Sequence, residues 1–355
     1  MTDHTQRIKA FVKLGTFFRE FCDSTNNLQG KLEHSSQSFN ILEDKIALAK
    51  HKNGWFTREN ILFSFNSWAN ALTDINLNAW LTKYQFQENN TPKTVALILA
   101  GNIPLVGFHD VLCVLVTGNK ALIKLSSNDN ILLPEVANIL IDIAPEFEGY
   151  IKFESDKLSS FDTVIATGSN NTARYFEHYF KNKPHIIRKN RNSVAILTGN
   201  ETAEQLKALG EDIFLYYGLG CRSVAKLFIP KGYNFDLFFE SLYEYHPIIE
   251  QAKYANNYDY NKAVYLMSNF KLLENGFLIL KNDESYSSPI ASLFYEEYET
   301  IDLLKQKLRV DQEKVQCIVS QGLFDSEITF GQTQSPKLTD YADNVDTIAF
   351  LLRNS

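Results

Sequence analysis

The sequence lacks a long apolar run. Its longest, "TVALILAGNIPLVGFHDVLCVLVTG", is broken by glycine, asparagine, proline, histidine and aspartate residues, so it falls short of the roughly 20 apolar residues of a membrane-spanning helix. We interpret it as a buried strand, "TVALIL", a turn, and a helix that begins at Pro104, "PLVGFHDVLCVLVTG". The first residues, "MTDHTQRIKAFVKLG", are polar and then amphipathic, without the apolar core of an export signal. These absences predict a cytoplasmic protein with no membrane span.

The chain also lacks an excess of positive charge. Its 35 lysine and arginine residues are outnumbered by 42 aspartate and glutamate residues, for a formal net charge of −7. A nucleic-acid partner would require a basic face, so the charge argues against one and leaves room for a local basic pocket that holds a phosphorylated cofactor. With 355 residues, 45% of them hydrophobic, the chain can bury large cores and form two domains.

Cysteine is scarce and widely spaced. The four residues Cys22, Cys113, Cys221 and Cys317 form no Cys-x-x-Cys motif and no cluster with histidine, so we expect neither disulfides nor a metal site. Cys22 ends an amphipathic helix, Cys113 lies in a helical apolar stripe, and Cys317 lies within the strand-like "VQCIV". These three are predicted to be buried small hydrophobes. Only Cys221 has a neighbourhood unlike a core position.

Cys221 lies in "YYGLGCRSVAKLFIP", residues 216–230. A helical segment precedes it, Gly218 and Gly220 clear space around it, and the apolar run from Val224 predicts a strand. This neighbourhood singles out Cys221 as a candidate functional residue.

The order of elements predicts an α/β protein with an N-terminal helical segment. Residues 5–80 carry apolar residues at three- and four-residue spacing, as amphipathic helices do, and the polar "KYQFQENNTPK" marks a boundary. From Thr94 onwards nearly all-apolar strands alternate with helices, which indicates a parallel sheet covered on both faces. After Thr198 a second α/β unit begins, and it carries Cys221.

Three turns follow predicted strands of the first sheet, where ligands of parallel sheets bind. In "LAGNIP", Asn102 can project into a crevice, or it can be a simple turn residue. In "GNKALIKLSS", Lys124 closes a strand ahead of Ser126 and Ser127, or it is a solvated surface charge. The third turn, "ATGSNNTARYF", contains Thr167, Gly168 and Ser169 before a helix N-terminus, which is either a phosphate seat or a plain helix cap.

Together with Cys221, these motifs resemble the aldehyde dehydrogenase superfamily from about residue 94 to 330. "GNIP" resembles the segment with the oxyanion-stabilising asparagine, here Asn102, and "GNKALIK" resembles the strand whose lysine, here Lys124, binds the cofactor ribose. "ATGS" resembles the "TGS" turn beside the nicotinamide dinucleotide. "GLGCRSVAKLFIP" resembles the nucleophile motif. With "YYGLGCRS" and "LTDYADNVDTIAFL", the chain most resembles the LuxC-type acyl-CoA reductases.

The resemblance implies a fold and a division into domains. The expected architecture is aldehyde-dehydrogenase-like, with a parallel-sheet, Rossmann-type cofactor domain and a second α/β catalytic domain. An N-terminal helical segment, residues 1–90, is expected to pack on the dinucleotide-binding domain, 91–198. Residues 199–330 would form the catalytic domain with the cysteine nucleophile, and 331–355 a tail that returns to the cofactor domain or to an interface.

The family pattern lacks one residue here. Hydrolytic relatives carry a glutamate in "E-L-G-G-K" that activates water, and a gapless alignment to "IRKNRNSVAIL" puts Ile187 in its place. An isoleucine cannot act as a base, so the resemblance implies an acyl thioester on Cys221 that persists against water. This favours NADPH-dependent reduction of a fatty acyl-CoA or acyl-protein thioester to the fatty aldehyde.

The cofactor preference follows from a neighbouring position. In NAD-preferring relatives an acidic residue three positions after the lysine binds the ribose hydroxyls, and here Ser127 replaces it. A carboxylate would repel a 2′-phosphate and a serine can accept it, so NADPH is favoured. In "ESYSSP" Ser285, with Glu284 beside it, takes the place of the glutamate that grips the nicotinamide ribose in the family.

Several residues keep open roles. Arg222 either tunes the thiolate or turns away from it, and His185 is either a proton shuttle or structural. The aromatic side chains before Cys221 either line an acyl tunnel or belong to the core; these are Phe214, Tyr216 and Tyr217.

Two other functions compete with the reductase. One is a hydrolytic NAD(P)-dependent aldehyde dehydrogenase with its base elsewhere, and the other is a catalytically inactive dinucleotide-binding protein. Full resemblance to the luminescence reductases would add an acyl-transferring synthetase as partner. Homo-oligomers are common in the family, but "KYQFQENNTPK" is too short for the usual oligomerising hairpin, so the oligomeric state stays open.

Overall fold

The computed structural model describes residues 3–26, 37–86, 91–268 and 270–354. Residues 87–90, within the boundary segment predicted from the sequence, lie outside the described residues. None of the described helices is both long and apolar enough to cross a membrane.

Four helices precede the first strand. They form because apolar residues recur on one face of each, and the resulting stripes pack together around buried rings such as Phe18 and Phe65, whose centroids lie 5.0 Å apart. Thr57 and Thr73 cap the third and fourth helices through their side-chain oxygens. The helices are α1 (His4–Asn26), α2 (Gln37–Lys52), α3 (Arg58–Ala71) and α4 (Asp74–Leu81).

The first sheet has five parallel strands, in the order β3-β2-β1-β4-β5. Its central strands are buried on both faces, as the nearly continuous apolar sequence predicts. The elements are β1 (Thr94–Ile98), α5 (Phe108–Val116), β2 (Lys120–Lys124), α6 (Leu132–Ile143), β3 (Ile151–Phe153), β4 (Thr163–Thr167), α7 (Asn170–Phe180) and β5 (His185–Arg188).

One helix is shorter than the sequence predicts. The pattern of "PLVGFHDVLCVLVTG" predicts a helix from Pro104, but α5 begins at Phe108. Leu105 has a φ of 56°, a left-handed conformation that no right-handed helix accommodates. Residues 104–107 therefore form a turn between β1 and α5.

The second sheet has six strands, in the order β11-β6-β7-β10-β9-β8, and β8 alone among these described strands runs antiparallel to its neighbour. Leu227, Phe238 and Leu280 form part of its buried core. The elements are β6 (Asn192–Ile196), α8 (Ala203–Phe214), β7 (Val224–Pro230), α9 (Asp236–Leu242), α10 (Ala252–Met267), β8 (Leu272–Glu274), β9 (Ile279–Asn282), β10 (Ser292–Tyr298), α11 (Ile301–Val310) and β11 (Val315–Val319).

The chain divides into two compact units, residues 1–189 with 337–355 and residues 190–336. Strand β6, which the sequence analysis assigned to the first domain, pairs with β7 and β11 in the second sheet. The last helix, α12 (Thr347–Arg353), belongs to the first unit.

The tail from residue 337 is held by polar contacts within the first unit. Trp80 Nε1 donates to the hydroxyl of Tyr341 at 2.7 Å. Arg188 forms a buried bidentate ion pair with Asp110, at 2.5 and 2.8 Å, and also donates to Thr347 Oγ1 at 3.2 Å. The guanidinium of Arg188 thereby connects β5, α5 and the C-terminal helix.

Candidate active site

Cys221 follows a left-handed turn at the end of α8. The helix starts with a capping box formed by Thr202 and Gln205 and ends at Phe214. Tyr216, Tyr217 and Gly218 then have φ values of 55°, 58° and 72°. Only glycine adopts this conformation without steric cost, so the two tyrosines are strained.

The thiol itself is accessible. Cys221 is exposed, whereas Cys22, Cys113 and Cys317 are buried, which confirms the burial predicted for those three. Burial raises the pKa of the Cys22 thiol to about 11 and that of Cys113 well above its ordinary value. The exposed member of the four is therefore the thiol with the solvent access that a reactive cysteine needs.

Two hydrogen bonds hold the chain at this thiol: one to the backbone carbonyl of Cys221 and one from the side chain of the next residue, Arg222. Ser193, fully buried on β6, donates from Oγ to the carbonyl oxygen of Cys221 at 3.0 Å. Arg222 donates from Nε to the carbonyl oxygen of Thr333 at 2.5 Å. The guanidinium of Arg222 is thus hydrogen-bonded to the segment that follows β11, the last strand of the second sheet in the chain.

The aromatic residues before the cysteine are buried or lie near other rings. Phe214 is 6% exposed and stacks on Tyr245, with ring centroids 5.2 Å apart. It belongs to the core of the second unit, as the alternative to an acyl tunnel predicted. Tyr216 is buried as well, and the ring of Tyr217 lies 6.2 Å from that of Tyr254.

Asn102 lies in the turn that joins β1 to α5, half-buried in the first unit. Asp129, in the loop between β2 and α6, and Ser64 of α3 hold this turn. Asp129 accepts a hydrogen bond from the backbone N–H of Leu105 at 3.3 Å, and Ser64 of α3 donates to the carbonyl oxygen of Pro104 at 3.1 Å. Burial raises the pKa of Asp129 from its ordinary value of 3.8 to about 6.

The turn after β2 lies beside the Asn102 turn. Ile98 at the end of β1 pairs with Lys124 at the end of β2, so both turns start at the same edge of the sheet. Gly101 approaches Ser126 so closely that a Cβ at Gly101 would lie 2.7 Å from the Ser126 Cβ. Lys124 Nζ donates to the carbonyl oxygen of Asp156 at 2.9 Å.

The third predicted turn lies at the same edge. Ala166 in β4 pairs with Ile98 in β1, so Thr167, Gly168 and Ser169 follow directly. Ser169 caps α7, because its Oγ accepts a hydrogen bond from the N–H of Thr172 at 3.2 Å. The sheet therefore aligns the predicted residues of all three turns within the first unit, and the Ser169 hydroxyl serves as a helix cap.

This edge has the chemistry that a dinucleotide requires. Lys124 supplies an ammonium group at the sheet edge, and Ser127 and Thr167 supply hydroxyls, the kind of donors that bind ribose and phosphate oxygens. A glycine at position 168 lets the chain pass close to α7, since a Cβ there would lie 3.0 Å from the Thr172 Cβ. The residues present fit a nicotinamide dinucleotide.

Two further predicted residues lie on the edge strand β5. Ile187, which the sequence analysis aligns with the family's glutamate, pairs with Ala166 in β4. His185 is exposed, and its Nδ1 lies 2.9 Å from the carbonyl oxygen of Lys183.

Sequence reasoning missed three buried charged residues: Asp129 beside the Asn102 turn of the first unit, and Asp212 and Lys226 in the second unit. Lys226 is fully buried on β7 and donates to the carbonyl oxygen of the exposed Glu284 at 2.7 Å. A lysine inside the apolar strand "SVAKLFIP" was a visible signal. Asp212 follows Leu206 and Leu209 on the buried side of α8, and that helical spacing was a second signal.

Comparison with solved structures defines the fold class. The aldehyde dehydrogenase KauB from Pseudomonas aeruginosa aligns with a TM-score of 0.58 and 14% identity over 89% of this chain and 80% of that one. An aldehyde dehydrogenase from Mycobacterium tuberculosis, complexed with NAD+, aligns with a TM-score of 0.59 and 13% identity over 88% and 76%. At such identity these structures show the fold, which is that of aldehyde dehydrogenases.

The sequence itself defines the family. Residues 43–238, more than half of the chain, match the model of the LuxC acyl-CoA reductase family, and the chain belongs to this family. The matched region includes Asn102, Lys124 and Cys221.

Curated relatives agree at low identity. The long-chain acyl-protein thioester reductase 2 of Photobacterium leiognathi is 25% identical over 182 residues, 47% of this chain and 38% of the relative. The long-chain acyl-protein thioester reductase of Aliivibrio fischeri is 26% identical over 230 residues, 59% of this chain and 47% of the relative. The matches thus span less than half of each relative's length.

Proposed function

We propose that this protein reduces a fatty acyl thioester to a fatty aldehyde with NADPH, through a covalent acyl intermediate on Cys221. The observation that carries the proposal is the exposed Cys221 thiol, presented by a strained left-handed turn in a chain of the LuxC family. In the proposal, the first unit binds the dinucleotide and the second supplies the nucleophile.

The chemistry begins at the sulfur. The thiolate of Cys221 attacks the carbonyl carbon of the acyl donor, a new carbon–sulfur bond forms, and the bond to the donor thiol breaks. The donor leaves as a thiol after taking up a proton. The acyl group is then held as a thioester on Cys221, and once it has been reduced the thiolate is regenerated as the aldehyde departs.

The negative charge that develops on the carbonyl oxygen needs donors. We assign this role to the side-chain amide of Asn102 and the backbone N–H of Cys221, as the family resemblance implies. Loss of one such donor typically costs about 10²–10³ in rate, and that is the effect expected of Asn102→Ala. These residues belong to different compact units, so kinetics is the test of their joint action.

Ile187 supports reduction over hydrolysis. Its side chain has no group that can take a proton from water, so the acyl thioester would lack the activated water that hydrolytic relatives use. The competing hydrolytic function requires a base elsewhere. Carboxylate formed from aldehyde and NAD would support hydrolysis, and aldehyde formed from acyl-CoA and NADPH supports the reductase.

Lys124, Ser127 and Thr167 are the residues we assign to the dinucleotide, with Ser126, Gly168 and Ser169 completing the two turns. When bound, the reduced nicotinamide supplies the hydride. Ser127 can accept a 2′-phosphate that a carboxylate would repel, which favours NADPH. The NAD+ in the Mycobacterium tuberculosis structure supports a nicotinamide dinucleotide.

The acyl donor is a fatty acyl-CoA or an acyl-protein thioester. The names of both curated relatives support an acylated protein, and an acyl-transferring synthetase would be the partner that supplies it. The family model, described as acyl-CoA reductase, supports acyl-CoA.

Mass spectrometry tests the intermediate directly. The protein is incubated with a long-chain acyl-CoA and no cofactor, digested, and searched for the acyl mass on the Cys221 peptide. We expect an adduct that disappears when NADPH is added, with release of aldehyde. Cys221→Ala and Cys113→Ala are matched controls, and the second should keep the adduct. A Cys221→Ala variant with unchanged activity would overturn the proposal and favour a non-catalytic role for this thiol.

A further inference from the structure

A buried carboxylate lies on the helix that precedes the cysteine turn. Asp212, in the last turn of α8, is fully buried and accepts three hydrogen bonds from residues 331–333. Gly331 N–H donates to Oδ2 at 2.6 Å, and the N–H and Oγ1 of Thr333 donate to Oδ1 at 2.9 and 2.8 Å. Burial nevertheless raises the pKa of Asp212, so the carboxylate occupies a site that is costly for a charge.

The same segment contacts the residues that follow Cys221. The carbonyl oxygen of Thr333 accepts the hydrogen bond from Arg222 Nε, and Gln334 Nε2 donates to Ser223 Oγ at 3.3 Å. Thr333 and Ser223 are buried. Residues 331–334, which we call the clamp segment, therefore connect the end of α8 to the chain immediately beyond the nucleophile.

Between these two attachments lies the strained turn. Tyr216 and Tyr217 keep left-handed φ values, and such a conformation persists only where the surrounding structure fixes it. Asp212 anchors the chain before the turn, and Arg222 and Ser223 anchor it after the turn. A change in either anchor would let the two tyrosines relax. The Cys221 thiol, which lies between the two anchors in the chain, would then move.

We propose that Asp212, acting through the clamp segment, is a positioning residue that holds the strained turn and so sets the placement and reactivity of the Cys221 thiol. The importance of this placement for catalysis rests on the proposed function. The placement itself does not, because thiol reactivity can be measured without any acyl substrate.

The test is alkylation of Cys221 by iodoacetamide, followed by mass spectrometry of the Cys221 peptide, across about pH 6 to 10, a range that includes the ordinary thiol pKa. For Asp212→Asn we expect the rate constant to change by about tenfold or its pH midpoint to shift. The matched control is Leu304→Ala, which removes a buried leucine of α11 outside the clamp. It should lower the melting temperature and leave the alkylation profile unchanged.

A second substitution tests the strain. Glycine adopts the left-handed conformation without cost, so Tyr217→Gly in the Asp212→Asn background should restore the alkylation profile towards that of the native protein. If Asp212→Asn is not recovered in folded form, Thr333→Val, which removes the Oγ1 donor and keeps the side-chain shape, replaces it in the same assay.

An unchanged alkylation profile in Asp212→Asn or Thr333→Val, with a lower melting temperature as in Leu304→Ala, would overturn the inference and leave Asp212 a purely structural residue. The two proposals fail separately. Without an acyl adduct on native Cys221 the proposed function fails, while altered alkylation in the variants still supports the positioning role.

Discussion

Lys226 Nζ lies 2.7 Å from Glu296 Oε2, although the lysine side chain is completely buried. The same ammonium donates to the carbonyl oxygens of Asp283 and Glu284, at 3.1 and 2.7 Å. All three of its protons are therefore used, and one side chain joins the middle of β7 to the loop after β9. Burial lowers the pKa of Lys226, and these acceptors offset part of that cost.

Lys226→Met should destabilise the second unit. Removal of one partner of a buried ion pair typically costs about 3–5 kcal/mol, and we expect the lower end because Glu296 keeps its ion pair with Lys307. Urea unfolding measures the loss. Lys307→Met is the matched control, since that lysine is 35% exposed and should cost about 1 kcal/mol or less. Equal losses in the two variants would contradict the anchoring role of Lys226.

Gly101→Ala should disturb the turns at the edge of the first sheet. The new Cβ would lie 2.7 Å from the Ser126 Cβ and 3.0 Å from the Asp129 backbone nitrogen, so one of the turns must move. Overpacking of this kind typically costs about 1–3 kcal/mol, and cofactor binding should weaken with it. Thermal melts and dinucleotide titration measure both effects. Ser126→Gly in the same chain should recover part of the stability, and no recovery would show that the clash is not with Ser126.

Asp129 predicts a dependence of stability on pH. Its folded-state pKa of about 6 lies above the ordinary value of 3.8, so the folded protein holds this proton more tightly than the unfolded chain does. The stabilisation from protonation is therefore present below about pH 4 and is lost as the pH rises through about 6.

Asp129→Asn tests this dependence, because asparagine stays neutral and keeps an oxygen for the Leu105 N–H. The melting temperature of the variant minus that of the native protein should increase from about pH 4 to pH 7. Asp311→Asn is the control, since the lysine at position 314 lowers the pKa of Asp311 below its ordinary value of 3.8, so its difference in melting temperature should change mainly below about pH 4 and stay nearly constant from pH 4 to pH 7. A difference that does not change with pH would refute the Asp129 prediction.

Ser127→Glu should change the cofactor preference. A carboxylate at this position would repel the 2′-phosphate of NADPH and could accept hydrogen bonds from the ribose hydroxyls of NADH. We expect the ratio of kcat/KM for NADPH to that for NADH to fall at least about tenfold, which corresponds to about 1.4 kcal/mol. Ser127→Gln, without the charge, should change the ratio much less, and equal effects of the two substitutions would argue against electrostatic selection.

The amino-acid sequence alone determined most strands of the first sheet. It also showed that Cys221, unlike the other three cysteines, does not lie in a core-like segment. Runs such as "TVALIL" and "ALIKLS" are mostly apolar, and this local property predicts buried parallel strands wherever they pair. The burial of Cys22, Cys113 and Cys317 was likewise predictable from the neighbouring sequence, because each lies within an apolar periodic segment. The family assignment also followed from local motifs.

Tertiary structure decided what depends on distant partners. The pattern of "NSVAILT" predicted a strand but not that β6 would join the second sheet, since hydrophobic periodicity does not specify the neighbour. The three residues of β3 and the four of β5 are too few for a periodic signal. Asp212 and Thr333 are separated by 121 residues, so only folding brings the clamp segment to this buried carboxylate.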